Sequence, residues 1–314
     1  MQQQITLKLL PSEAASSTIT TQYAANALGV PVSSVTGFHI IKRSLDARGK
    51  QPWYVHTLNV FVNEPFHARE IRRLQLKDVS KAKQKIIIAG AGPAGLFAAL
   101  KLIENGIQPI ILERGKDVRA RRRDLALLNK EGVINSESNY CYGEGGAGTY
   151  SDGKLYTRST KRGDVDRILN ILVQYGADEN ILFEAHPHIG TNKLPHIITA
   201  IRKAIVDSGG QFLFERKVTG FLLQENTLKG VKTADGNIFE ADGLILATGH
   251  SARDIFELLH REKISVEYKP FALGVRIEHP QNLIDSLQYH CPVRGDFLPP
   301  ASYSLVQQVQ EKGV

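Results

Sequence analysis

The sequence predicts an α/β fold preceded by a small α+β unit, from three observations. The apolar β-branched run Ile86, Ile87, Ile88 passes through a glycine turn into an amphipathic helix and a second apolar run, the pattern of a parallel strand–helix–strand crossover. From Gln211 onward the hydrophobic period switches to two, as in short antiparallel strands. Ahead of both, residues 1 to about 76 alternate strand and helix patterns of their own, a ferredoxin-like half.

The N-terminal unit reads as a strand over Ile5 to Leu9, a helix ending near Leu28 before Gly29, and strands over Val35 to Ser44 and Trp53 to Val62, with turn chemistry between Asp46 and Pro52. Lys77 to Gln84 is polar, basic and aperiodic, and is expected as the linker to a domain over residues 85–263. In that domain Gly90 permits a tight turn, Gly92 removes a side chain that would bar a phosphate, and Gly95 lets the helix pack closely on the sheet. Pro93 suits the first helical turn, Leu96, Leu100 and Ile103 repeat at helical spacing, and Gly106 stands at the helix C-terminus. The strand over Ile107 to Leu112 ends in Glu113, where a carboxylate would bind a ribose diol. Together these make a Rossmann-like dinucleotide fingerprint whose spacing leaves FAD and NAD both open.

Further along, a helix is expected over about Asp117 to Lys130, then the glycine-rich stretch Tyr142 to Lys154. Amphipathic helices follow over Asp164 to Tyr175 and Asn192 to Asp207, with a short strand near Ile181 to Glu184 between them. A meander is read at Phe212 to Glu215, Val218 to Leu223, Leu228 to Thr233 and Ile238 to Ala241, broken by Glu225-Asn226 and Asp235-Gly236. It feeds the strand Gly243 to Thr248, and a β-rich stretch is expected from Ile264 to Glu278, opening an incomplete substrate domain over 264–314.

Composition narrows the function less. The 314 residues, 42% apolar and 23% charged, suit a globular protein, and no stretch reaches the length of a bilayer span or has the layout of a signal peptide. The cytoplasm is the expected compartment. Cys141 and Cys291 form no Cys-x-x-Cys pair, so both are expected as thiols. The net charge of +7 suits anionic ligands; its densest run, Arg114 to Arg123, reads first as a solvated helix face, with nucleotide phosphate or nucleic acid as the lesser readings. His186, His188, His196 and His250 lack carboxylates or cysteines in register, and no metal is expected. Of these, His250 is the candidate for a cofactor or substrate contact.

The order crossover, helical insertion, meander, then Ala247-Thr248-Gly249 resembles the FAD-dependent oxidoreductases that share the glutathione reductase type of FAD domain. The meander feeding that last strand is what simple NAD dehydrogenases lack. The resemblance implies FAD, with Gly90, Gly92, Pro93, Ala94 and Gly95 on the phosphates, Glu113 on the ribose, Val218 on the adenine through its backbone, and Ala247, Thr248 and Gly249 on the return strand. Arg114 would stack on adenine or neutralise phosphate. The motifs GEGGAGTYSDGKL at 143–155, HPHIGTNKL at 186–194, ATGHSARD at 247–254 and PFALGVRIEHP at 270–280 are similar to a group of bacterial uncharacterised FAD-dependent dehydrogenases. Gly143, Gly145, Gly146, Gly148, Ser151, Asp152 and Lys154 are candidates for flavin contact, Lys154 as the charge that favours reduced flavin. No acid, base or nucleophile constellation stands out, as expected when the cofactor carries the chemistry. NAD(P)H is the candidate electron donor. A flavoprotein of RNA modification and a non-catalytic nucleotide-binding fragment are the alternatives; oligomeric state and substrate stay open. No closing glycine–acid motif follows Gly249, so a truncated form with weak FAD retention is expected.

Overall fold

A computed structural model describes residues 1–151, 153–155, 163–190, 192–225, 227–269, 274–275, 277–303, 305, 308–309 and 312–313. Asp152, the turn residue Asn226, Thr191 of the 186–194 motif and residues 270–273 and 276 of the 270–280 motif lie outside them. The chain divides into two units, residues 1–70 with 182–187 and 268–314, and residues 71–181 with 188–267.

The first unit opens with β1 (Gln2–Leu9), the short helix α1 (Pro11–Ala14), α2 (Ser17–Leu28), β2 (Val35–Asp46) and β3 (Trp53–Val62). The strands form an antiparallel sheet in the order β1-β3-β2. Ser16 caps α2, its hydroxyl accepting from the Ile19 amide, and left-handed Gly29 ends it. Ala24 and Ala25 of α2 are wholly buried against Leu9, Leu58, Val60 and Val62.

The second unit carries β4 (Lys85–Ala89), α3 (Pro93–Glu104), β5 (Gln108–Leu112), α4 (Val118–Glu131), α5 (Val165–Gln174), α6 (Leu194–Asp207), β6 (Gln211–Leu213), β7 (Val218–Gln224), β8 (Thr227–Thr233), β9 (Ile238–Glu240), β10 (Gly243–Leu246) and α7 (Arg253–Arg261). Its main sheet is parallel in the order β10-β4-β5-β6. The isoleucine run explains the layering. Ile88 packs with Leu96, Leu100 and Ile103 of α3 and with α6 on one face; Ile87 packs with Val218, Phe221 and Val231 of the meander and with Ile255 and Leu258 of α7 on the other. A strand covered on both faces has to be apolar at every position, and each such side chain contributes about 1.5–3 kcal/mol.

Several expectations are corrected. Phe212 and Leu213 do not begin the meander; β6 extends the parallel sheet beside β5, and the meander is the three-stranded sheet β7-β8-β9. Near Ile181 the chain is a 3-10 turn over Glu179–Leu182, not a strand; only Glu184 makes an isolated bridge, to Arg43. Lys77 to Gln84 is docked, not free: Val79 is wholly buried, its amide donates to Ser208 O at 2.8 Å, and an added Cβ on Gly209 would lie 2.4 Å from Ser80 N. Between Ile264 and Glu278 the described residues form no strand. Instead, the C-terminal part of the first unit holds α8 (Gln281–Tyr289) and the two-residue strands β11 (Gln308–Val309) and β12 (Lys312–Gly313). The helix α7, with Ile255 and Leu258 buried, was not expected.

His56 on β3 is fully buried, and neither ring nitrogen meets a hydrogen-bond partner among the described residues. Burial, and then the charge of Arg43, push its pKa from 6.5 down to about 4. The unfolded chain therefore takes up this proton at higher pH than the folded one, and stability falls as pH drops from about 6.5 toward about 4. Urea unfolding followed by the single tryptophan, Trp53, should show roughly 2–3 kcal/mol of this loss between pH 7 and 4.5 in the native chain, absent in His56→Phe. Equal pH slopes in the two proteins would refute it.

Candidate functional site

Strand order reverses at β4, which has β5 on one side and β10 on the other. In parallel sheets the crevice beyond the strand ends at such a point is where ligands bind. There a cavity of about 500 Å³ is lined by Ala89, Gly90, Gly92, Pro93, Ala94, Glu113, Arg114, Tyr142, Gly143, Gly146, Ala147, Lys217, Val218, Ala247, Thr248, Gly249, His250 and residues of α7.

The glycine turn is built as its spacing requires. Gly90 has φ +106°, and a Cβ there would come within 2.5 Å of Ala247 O, so the return strand can approach closely. A Cβ on Gly95 would sit 2.0 Å from Gly90 O, which fixes glycine at the first turn of α3. Around Gly92 the space is open: its nearest neighbour to an added Cβ is Gly146 Cα at 3.8 Å. Gly92 is the N-cap of α3, and among the described residues no side chain satisfies the first amides of that helix.

Glu113 is 4% exposed, and its carboxylate is already engaged. Oε2 accepts from the Ala91 amide at 2.7 Å, and Oε1 from the amides of Gly115 at 2.8 Å and Gly143 at 3.0 Å. A carboxylate accepts about four hydrogen bonds, which leaves about one position, on Oε2, for a ribose hydroxyl. Arg114 is likewise committed. Its guanidinium lies 4.1 Å from the Tyr142 ring centroid and pairs with Glu137 at 2.6 Å and Asp254 at 3.0 Å. Lys217 completes the cluster, 2.9 Å from Glu137 and 3.4 Å from Asp254. Burial alone would raise the Asp254 carboxyl, but the hydrogen bond and charge of Arg114, with the charge of Lys217, outweigh it and hold the group below its ordinary range.

The glycine-rich loop contains what the sequence concealed. Arg121, expected on a solvated face, is wholly buried, whereas the other arginines of α4, Arg119, Arg122 and Arg123, are exposed. Its guanidinium donates to the carbonyls of Asn139, Tyr140, Gly143, Glu144 and Gly146 and to Thr149 Oγ1, at 2.8–3.3 Å. Its register carried a signal: with Val118 and Leu125 it forms the buried stripe of α4, at i, i+3 and i+7. Glu144 is also wholly buried. Its Oε2 accepts from the Val118 amide at 2.8 Å, at the N-terminus of α4, where a negative charge is favoured. Arg202 Nε lies 3.1 Å from Oε1 as an ion pair without hydrogen-bond alignment. Burial pushes the Glu144 carboxyl up, against the pull of the Val118 amide and Arg202.

Of the residues singled out in the sequence, Gly90, Gly92, Pro93, Ala94, Glu113, Arg114, Gly143, Gly146, Val218, Ala247, Thr248, Gly249 and His250 meet around the cavity. Gly95, Gly145, Ser151 and Lys154 are not among its lining residues. Gly145 packs inward against Thr149 and Ile198, Ser151 Oγ donates to Gly148 O, and Lys154 bridges to His188. Exposed Cys141 is a free thiol at the cavity wall. Among the described residues no group of three or more His, Cys, Asp or Glu is placed to hold a metal ion, and no helix is long and apolar enough to cross a membrane.

The dinucleotide crossover and its cavity define an FAD/NAD(P)-binding Rossmann-like α/β protein, and the family comparisons narrow the nucleotide. Residues 83–128 match the family described as FAD binding domain, and residues 270–314 the family FAD-dependent protein, C-terminal domain-like. Residues 1–61 match a domain of unknown function, DUF8436. An uncharacterized protein of Clostridium beijerinckii is 36% identical over 298 residues, covering 90% of this chain and 56% of that protein. The chain thus spans about half the length of this relative. Among solved structures, Thermovibrio ammonificans THI4 is 18% identical over 57% of this chain and 62% of that one, with a TM-score of 0.37. The L-amino acid deaminase of Proteus vulgaris is 15% identical over 59% and 58%, with a TM-score of 0.35. Likeness at that level carries nothing about activity.

Replacing Glu113 by Gln turns one acceptor oxygen into a donor facing amide donors, whichever way the amide is oriented. Thermal unfolding should show a loss of about 1–3 kcal/mol. An unchanged melting temperature would mean that the three amides find other partners at no cost.

Proposed function

We propose that the cavity binds FAD through its ADP half, and that the complete protein is an FAD-dependent oxidoreductase. The observation that carries this reading is the uncapped N-terminus of α3, whose free amides open at Gly92 onto the cavity with no side chain in the way. Helix amides left without partners, with the positive end of the helix dipole behind them, are suited to a diphosphate. The match of residues 83–128 to the FAD binding domain family supports FAD over other dinucleotides.

The residues present fit the coenzyme. The amide of Ala94 at the α3 N-terminus would hold the diphosphate, the remaining acceptor position of Glu113 one ribose hydroxyl, and the backbone at Val218 the adenine. Ala247 to Gly249 form the opposite wall. A volume of about 500 Å³ lies within the ordinary range for such sites. Bound FAD supplies hydride transfer. The chain contributes binding and orientation, and its paired ionic cluster keeps Arg114 and Lys217 fixed at the cavity wall. NAD(P)H is the donor assigned by this reading, and the substrate is an organic molecule whose identity the cavity does not specify.

Titration of the purified chain with FAD, followed by absorbance and calorimetry and repeated with ADP, tests the assignment. Binding of both ligands is expected, with Gly92→Val weakening each by about tenfold or more because its side chain would enter the phosphate path. No heat with either ligand, or full affinity in Gly92→Val, would sink the proposal.

A further inference from the structure

Arg121 occupies an unusual position for a charged side chain: it is wholly buried, touches no carboxylate directly among the described residues, and spends its donors on the carbonyls of one loop. In a trans peptide the carbonyl of one residue and the amide of the next point in opposite directions. Each carbonyl turned toward Arg121 therefore turns an amide away from it. The Gly143 carbonyl sends the Glu144 amide to Lys116 O at 3.1 Å, and the Glu144 carbonyl sends the Gly145 amide to Ala91 O at 2.8 Å, which pins the loop to the dinucleotide turn. The third case differs. The Gly146 carbonyl, 2.8 Å from Arg121, turns the Ala147 amide outward, and that amide meets no acceptor among the described residues. Ala147 lines the cavity, and Gly146 lies against the opening of α3, where an added Cβ would meet Pro93 Cδ at 3.1 Å and Gly92 Cα at 3.3 Å.

The geometry points to Arg121 as a positioning residue for anion binding: from inside the core it sets the peptide planes of the 143–149 loop so that the Ala147 amide faces the cavity as a phosphate donor beside the α3 N-terminus. This rests on the reading that the cavity takes a dinucleotide. The buried cation also places positive charge behind that amide without exposing a side chain to the ligand, in a medium where an aligned hydrogen bond to an anion is stronger than in water.

Calorimetry on the 314-residue chain with ADP and with adenosine separates this role from a merely structural one. Arg121→Lys, which cannot reach the same set of carbonyls, should weaken ADP by about tenfold relative to adenosine, the loss of one charge-assisted hydrogen bond. Should Arg121→Lys not fold, Ala147→Pro deletes the amide itself and should give the same loss, with the ligand-free melting temperature checking that the loop persists. An unchanged ADP-to-adenosine ratio in a folded variant overturns the inference, as does an equal loss for both ligands. Wild-type chain that binds neither ADP nor FAD overturns the coenzyme reading along with it.

Discussion

The carboxylate of Glu113 is the interaction on which the rest of the site depends. Three loops separated in sequence, at Ala91, Gly115 and Gly143, donate amides to it, and at Gly115 the backbone has come too close for a side chain. An added Cβ on Gly115 would lie 2.7 Å from both Glu137 O and Gly143 Cα. Glycine allows the approach, and the carboxylate makes it favourable, since hydrogen bonds to an ionised acceptor are shorter and stronger than neutral ones. Gly143 is held from both sides: its amide on Glu113 and its carbonyl on Arg121. A buried anion and a buried cation thus clamp one backbone between them without touching each other, and each offsets part of the other's desolvation.

That clamp is attached to a rigid base. The sheet places Ala89 and Leu246 side by side, so the turn after β4 and the segment after β10 leave the sheet together. Ala247 N donates to Ala89 O at 2.8 Å, continuing the ladder to the edge of the cavity. Glu144 then couples the loop to the α4 N-terminus through Val118 and to α6 through Arg202. Removing either buried ion would leave its counterpart and several backbone groups unmatched, a far larger effect than losing a surface ion pair.

The crossover was legible because each of its residues answers to local geometry: β-branched residues for a doubly covered strand, glycines where a Cβ would collide, an acid at the end of β5. Less was legible where tertiary partners decide. Leu213 of β6 alternates as a hairpin strand would, and nothing local shows that its neighbour is β5 rather than β7. In the sequence Arg121 belongs to a basic run, although its spacing from Val118 and Leu125 places it on the buried stripe; the sequence holds the period but not the carbonyls that make the burial tolerable. In α7, Ile255 and Leu258 also show helical spacing, masked by the charged residues between them. The carboxylate of Glu113 was legible as a ligand for something, and the structure shows that most of its acceptors are spent on the protein's own backbone.

The ionic cluster at the cavity wall has a consequence for how an anion is attracted. Arg114 and Lys217 are matched by Glu137 and Asp254, and Arg216, also at the wall, faces Asp235 at 3.2 Å, so the long-range fields of these cations largely cancel. What remains at the wall is the short-ranged field of aligned peptide dipoles, with the buried Arg121 guanidinium behind them, and it is little affected by dissolved salt. The formal charge of +7 would draw an anion toward the protein as a whole, while its capture at this wall would depend on contact with those dipoles.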